Sequence, residues 1–162
     1  MRVFEGREIY QFAIRIEENG ERFYRQAAQT IRDKNASGLF AHLADEEVKH
    51  RKIFEGMLPK TETFSMDERY PGEYLEYLKD YLDDKVVFNK READQELTII
   101  KDAPSAIDFA IHREMNAILY FLEVKNLVSK DQQSFIDRIV DEEKKHFSLL
   151  SQMRKNFIET AS

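Results

Sequence analysis

The tetrad Glu-x-x-His occurs twice in this sequence, as Glu47–His50 and as Glu143–His146. Residues three positions apart on a helix share a face, so each tetrad offers one carboxylate and one imidazole to a common point. Such donors suit iron, manganese or zinc rather than softer metals. One tetrad is a weak signal, and its repetition matters only if further acids face the same point.

Further acids of that kind are indicated by the apolar pattern of the chain. Four segments carry apolar residues at the 3.6-residue period of an amphipathic helix, over about residues 5–31, 36–58, 104–128 and 131–158. Every apolar stripe is interrupted by potential metal ligands. In chain order these are Glu17, Glu47, His50, Glu114, Glu143 and His146. The first and third helices thus give one Glu each, and the second and fourth give one tetrad each.

The stripes also distinguish each candidate ligand from its acidic neighbour. Glu17, Glu47 and Glu143 fall on the apolar face, whereas Glu18, Glu46 and Glu142 fall beside it. The list of favoured ligands therefore follows from helical geometry and not from acid content alone.

Electrostatics supply a reason for a metal. Four inward carboxylates would carry a charge of −4, and an isolated buried ion costs several kcal/mol. Two divalent cations would neutralise the four charges. The alternative is that acid-rich helices bury some Glu by chance and neutralise them with Lys or Arg. Six interruptions, all on predicted buried stripes, favour a di-metal site.

The connections between the segments predict the fold. The joints at 33–35 and 129–131 are short, so the first two helices and the last two form antiparallel hairpins. The connection over 59–103 is long enough to cross a bundle whose helices measure ~37 Å. Two hairpins joined by one long crossover predict an all-α, ferritin-like four-helix bundle. We expect a single domain over 1–162, with a tyrosine-rich helix at about 73–86 that packs on the bundle or a second subunit.

Composition excludes several classes of protein. The chain has 162 residues and a net charge of −6, which argues against nucleic-acid binding. It has no cysteine, so disulfides and thiolate-bound iron–sulfur clusters are excluded. No stretch approaches the ~20 apolar residues of a membrane span, and the N-terminus lacks an apolar signal core. A cytoplasmic protein without membrane contact is expected.

The segments around these candidate ligands resemble rubrerythrins and the wider ferritin-like superfamily. The resemblance rests on residues 13–24 and 43–50, which are echoed by residues 110–121 and 141–146. It covers most of the chain except the crossover. It implies a non-haem di-iron centre in the core of the bundle.

The resemblance also implies a role for each residue. Glu47 and Glu143 would bridge the two metals, and Glu17 and Glu114 would cap them. In the same family pattern, the preceding acids Glu46 and Glu142 would orient the ligating histidine rings. Tyr24 would face the site, either with a functional role or as a packed tyrosine hydrogen-bonded to a ligand.

Two departures from the rubrerythrin pattern affect the expected chemistry. The chain lacks the cysteines of a rubredoxin domain, through which electrons usually enter. It also has Ala117 where rubrerythrins tend to carry an extra glutamate, and Gly20 at the matching position of the other half. The ligand set is therefore closer to the symmetric six-ligand type of bacterioferritins. Small residues at 20 and 117 would leave space beside the metals, which we interpret as an oxygen or peroxide pocket.

These features predict a non-haem di-iron oxidoreductase with two iron ions, although manganese or zinc fits the same donors. It would reduce hydrogen peroxide or dioxygen as Fe(II) is oxidised, and a separate protein would donate the electrons. A homodimer is expected. The alternatives are a ferroxidase or iron-storage subunit of ferritin type, and a redox-silent, metal-stabilised binding module.

Overall fold

Four long helices make up almost all of the described chain. A computed structural model describes residues 6–58, 100 and 102–161. The helices are α1 (Gly6–Thr30), α2 (Lys34–Met57), α3 (Ala103–Leu127) and α4 (Lys130–Thr160). No strand occurs among these residues, so the all-α prediction is confirmed. None of the four helices combines the length and the apolar character that crossing a membrane requires.

Side-chain caps explain where two of the helices begin. The Asp33 carboxylate caps α2 by accepting a hydrogen bond from the amide of Ala36 at 2.8 Å. The Asp102 carboxylate caps α3 in the same way, and Pro104 lies in the first turn of that helix, where its missing amide hydrogen is not needed. Ser129 precedes α4 but makes no side-chain cap.

The helices pack as two hairpins. Helix α1 lies along α2, and α3 lies along α4, while α1–α3 and α2–α4 contacts join the two pairs. The short turns at residues 31–33 and 128–129 make each pair antiparallel. The predicted connection over 59–103 lies almost wholly outside the described residues, and so does the helix expected at about 73–86.

The core is divided into two apolar clusters. The first cluster lies around Tyr10, Phe54 and Phe121, and the second lies around Tyr24 and Phe40. On every helix, the candidate ligands fall between residues of the first cluster and residues of the second. The bundle therefore holds a polar layer between two apolar ends.

The predicted stripes are buried along nearly their whole length. The exceptions are Met153 and Phe157, which are only partly buried. Both lie in the last turns of α4, where they line a pocket with Asp33 and Asn35 at the start of α2. The sequence pattern alone does not reveal where a neighbouring helix ends.

Candidate metal centre

Six ionisable side chains form the polar layer. Each is buried, with relative exposures from 0% for Glu17 to 5% for Glu47. Tyrosines aside, they are the buried polar or charged residues of the described chain: Glu17, Glu47, His50, Glu114, Glu143 and His146. These are the six residues that the sequence pattern indicates. The neighbouring Glu18 is exposed, and Glu46 and Glu142 are half-buried.

The six side chains form two overlapping groups. Donor atoms of Glu17, Glu47, His50 and Glu143 lie within 4.8 Å of one another. The same limit holds for Glu47, Glu114, Glu143 and His146. Glu47 and Glu143 belong to both groups, and a carboxylate has two oxygens with which it can reach two cations. The arrangement therefore provides two adjacent four-donor positions linked by two shared carboxylates.

Both imidazole rings direct a nitrogen at the carboxylates. His50 Nδ1 lies 2.8 Å from Oε1 of Glu143 and 3.6 Å from Oε2 of Glu17. His146 Nδ1 lies 3.2 Å from Oε2 of Glu143 and 3.9 Å from Oε1 of Glu114. The two rings stack, with centroids 5.5 Å apart and planes at 17°. One ring from each hairpin thus meets the same shared carboxylate, Glu143.

Several of these atoms lack a well-aligned hydrogen bond. Both carboxylate oxygens of Glu17 are buried without a hydrogen-bond partner. Nδ1 of His50 and Oε1 of Glu143 lie 2.8 Å apart, but not in hydrogen-bond geometry. Leaving one buried polar group unpaired costs about 1–3 kcal/mol. A cation between these atoms would satisfy them together, and oxygen and imidazole donors are those that iron, manganese and zinc accept. The residues present therefore fit a di-metal centre.

The ionisation of the layer shows strong coupling between its members. Burial and the nearby Glu17 and Glu143 carboxylates raise the pKa of Glu47 well above its ordinary value. Burial and Glu143 likewise raise the pKa of Glu114. When no cation is bound, these two acids therefore tend to keep their protons, as expected for four carboxyl groups in one dry space.

His50 and Glu143 shift in the directions that favour their charged forms. Burial lowers the pKa of His50, but the adjacent Glu143 and Glu17 outweigh it and raise that pKa to about 12. Burial raises the pKa of Glu143, but Glu114, His146 and His50 outweigh it and lower that pKa below its ordinary value. An imidazolium–carboxylate pair therefore occupies the layer when a metal does not.

Contacts outside the layer hold the rings and carboxylates in place. Nε2 of His50 lies 2.8 Å from Oε2 of Glu142, which belongs to the opposite hairpin. Glu46 pairs with Lys49, and that hydrogen bond is the main reason its pKa is lowered, with a smaller contribution from His146. Glu142 thus contacts a ring directly, whereas the structure shows no hydrogen bond between Glu46 and the ring of His146 in the described residues.

Tyr24 is connected to the layer by its phenol. The hydroxyl donates a hydrogen bond to Oε1 of Glu114, and the ring is fully buried. Burial, followed by the charges of Glu114 and Glu47, raises the pKa of Tyr24, so the phenol keeps its proton and remains a donor. Tyr120 makes a different contact, donating to the carbonyl of Ile9 at 2.9 Å.

The space beside Gly20 differs from the expectation. A Cβ atom at residue 20 would lie 2.8 Å from Cδ of Glu47. The Glu47 carboxylate therefore fills the side of the site where we expected an open oxygen or peroxide pocket. The sequence pattern places both residues on inward faces, but it does not show how closely two neighbouring helices approach.

Comparison with known proteins identifies the family. The rubrerythrin family model matches residues 8–154. The chain belongs to the rubrerythrin family. A solved structure from Thermotoga maritima, described as a ferritin-like di-iron carboxylate protein, is similar, with a TM-score of 0.63 and 25% sequence identity. The match covers 96% of this chain and 97% of that one. The prediction of a ferritin-like bundle is therefore confirmed, and no curated protein matches this rubrerythrin-family sequence.

One residue near the site was not indicated by the sequence. The guanidinium of Arg113 lies 5.7 Å from the centroid of the Phe23 ring, and its charge lowers the pKa of Glu114 slightly against the larger effect of burial. A basic residue directly before an inward acid is common on amphipathic helices. The apolar pattern therefore does not distinguish Arg113 from the other basic residues of the chain.

Proposed function

We propose that this rubrerythrin-family protein is a di-iron oxidoreductase that reduces hydrogen peroxide or dioxygen. The observation that supports this proposal is the pair of four-donor groups that share Glu47 and Glu143. In this assignment, Glu17 and His50 complete one iron position, and Glu114 and His146 complete the other. The similar Thermotoga protein is itself described as a di-iron carboxylate protein, which agrees with the choice of iron.

Charge balance supports two divalent ions rather than one. Four carboxylates contribute −4, and among the described residues the cations within 4 Å of them are the two histidine rings. Neutral histidines and two divalent ions would give a layer without net charge. Two Fe(II) ions, when bound, would supply Lewis acidity and two electrons, which together with two protons from solvent reduce one hydrogen peroxide to two water molecules.

The protein's own residues have distinct tasks in this proposal. Glu142 holds the His50 ring by its outer nitrogen, so that Nδ1 faces the layer. Tyr24 holds one oxygen of Glu114 by its hydroxyl and leaves the other free to bind. The apolar clusters above and below exclude water from the layer, which strengthens every electrostatic interaction within it. Electrons would come from a separate protein that docks on the bundle.

A ferroxidase or iron-storage role is the second candidate. It is favoured by residue 117, where an alanine supplies no fifth carboxylate beside the four carboxylates and two histidines. Ferroxidase activity would oxidise Fe(II) with dioxygen and pass the product on, rather than cycle with an external reductant. The third reading, a zinc-loaded binding module, requires the same donors without redox turnover.

One titration separates these candidates. Fe(II) is added anaerobically to the purified protein, bound metal is counted, and absorbance is followed after peroxide or dioxygen is added. We expect two Fe(II) per chain, oxidised by peroxide or dioxygen and re-reduced over many turnovers by an added electron donor. Oxidation by dioxygen with continued iron uptake would instead support the ferroxidase. Tight zinc binding without iron oxidation would refute both iron proposals.

Matched variants test the site itself. Glu17→Gln should remove one of the two tightly bound metals, whereas Glu18→Gln at the exposed neighbouring position should remove neither. A sedimentation measurement in the same buffer tests the proposed homodimer, and a much larger particle would indicate a storage cage.

A further inference from the structure

Besides Gly6, at which α1 begins, three glycines lie inside the described helices. Gly20 belongs to α1, and Gly38 and Gly56 belong to α2. None adopts a positive φ angle, so backbone conformation does not require glycine at these positions. Glycine within a helix is less favourable than alanine. A glycine inside a helix that no backbone conformation requires can have a packing reason, because its missing side chain leaves space for a neighbouring group.

Only Gly20 of these three has such a reason. A Cβ atom added there would lie 2.8 Å from Cδ, 2.9 Å from Oε2 and 3.2 Å from Oε1 of Glu47. A Cβ atom added at Gly38 or Gly56 would meet nothing within 4 Å. The whole carboxylate of Glu47 therefore rests against the bare backbone of α1, in a space that any other residue would fill.

The contacted carboxylate is one of the two shared by both donor groups. Donor atoms of Glu47 lie within 4.8 Å of donor atoms of the other five candidate ligands. We infer that Gly20 is a positioning residue, whose missing side chain lets the Glu47 carboxylate lie between the two metal positions. This inference rests on the proposed di-metal centre for its functional meaning.

The inference predicts opposite effects on folding and on metal binding. The atoms that a new methyl group meets are the end of a flexible side chain, so Glu47 can rotate away when no metal is bound. Gly20→Ala should therefore fold and, because alanine favours helix, should melt no lower than the wild type in chelator. With metals bound, Glu47 as their shared ligand would be held in the space that the methyl group needs. We expect affinity for Fe(II), measured anaerobically, and for Zn(II) to fall roughly 10- to 100-fold.

The other two glycines are matched controls. Gly38→Ala and Gly56→Ala add the same methyl group to helix α2 in open space, so they should keep wild-type affinity for both metals. A compensating variant sharpens the test, because Glu47→Asp shortens the displaced side chain by one methylene. Combining Gly20→Ala with Glu47→Asp should reduce affinity by less than the product of the two separate losses.

The experiment has two parts. Calorimetric titration measures the affinity of each variant for Zn(II) and for Fe(II). Crystal structures of the wild type and of Gly20→Ala, both grown with chelator, show the position of the Glu47 carboxylate. We expect Gly20→Ala to bind both metals more weakly and to show a displaced Glu47 carboxylate. Gly38→Ala and Gly56→Ala should bind both metals as the wild type does. Wild-type affinity in Gly20→Ala, or a carboxylate that keeps its place beside the new methyl group, would overturn the inference. If the wild type itself binds neither metal, the proposed function fails, and the two crystal structures still decide whether Gly20 sets the position of Glu47.

Discussion

Removing the metals should lower the thermal stability of the protein, and the size of the effect can be worked out from the two donor groups. An ion held at a free concentration one hundred times its dissociation constant stabilises the fold by about 2.7 kcal/mol. Two ions therefore contribute about 5 kcal/mol. In a chain of this length, Tm shifts by about 2–4 °C per kcal/mol, so a chelator should lower Tm by roughly 10–20 °C.

The stabilisation of the fold by bound metal should increase with pH. In the metal-free fold the pKa values of Glu47 and Glu114 are raised, mainly by burial. The stability that these groups contribute is complete below their unfolded pKa of 4.5 and is lost as pH rises through the folded pKa. Metal binding requires the unprotonated ligands, so each proton displaced increases affinity by up to about tenfold per pH unit. The difference in Tm between loaded and chelated protein should therefore be larger at pH 8 than at pH 6.

Differential scanning calorimetry at the two pH values, with and without chelator, measures this difference. The variant Glu47→Gln is the control, because it loses a shared ligand and should show little response to chelator. A difference in Tm that is equal at both pH values would refute the proton displacement. An absent difference would refute the metal centre as a stabilising element.

Three further predictions concern single side chains. Anaerobic Fe(II) titration should show that Glu17→Gln keeps one tight site and that Glu47→Gln keeps none; equal losses would contradict the shared role of Glu47. Phe54→Ala removes a fully buried ring and should lower the free energy of unfolding of the metal-free protein, measured with urea, by roughly 3–5 kcal/mol. A loss below about 1 kcal/mol would show that the core around residue 54 repacks. Asp33→Ala removes a helix cap and should cost about 1 kcal/mol in the same assay. Ser129→Ala should be nearly neutral, because its side chain makes no cap hydrogen bond.

The fold was readable from the sequence because its helices are long and strongly periodic. Each observed helix boundary lies within a turn of the expected one, and the short joints expected at 33–35 and 129–131 predicted the hairpins. Burial of the six candidate ligands followed from the same pattern, since an acid on an apolar stripe must face the core. Their role as metal ligands is not given by burial and stays a proposal.

The fine geometry was not readable, because periodicity assigns a residue to a face without giving the depth or rotation of the neighbouring helix. The contact between Glu142 and His50 crosses from one hairpin to the other. The close approach of Gly20 to Glu47 depends on how α1 lies along α2. The unpaired hydroxyl of Tyr10, buried in the first cluster, has no signature in the sequence either.

The charged layer between the two apolar clusters has a consequence for how the protein opens. Cohesion along a bundle normally comes from continuous apolar contact, and here that contact is interrupted at the level of the six ligands. With metals bound, coordination would tie all four helices together at this level, so that both ends open as a single cooperative unit. Without metals, the ends would behave as separate local unfolding units, each with its own hydrogen-exchange rate. Loading would then be visible as a merging of two exchange rates into one.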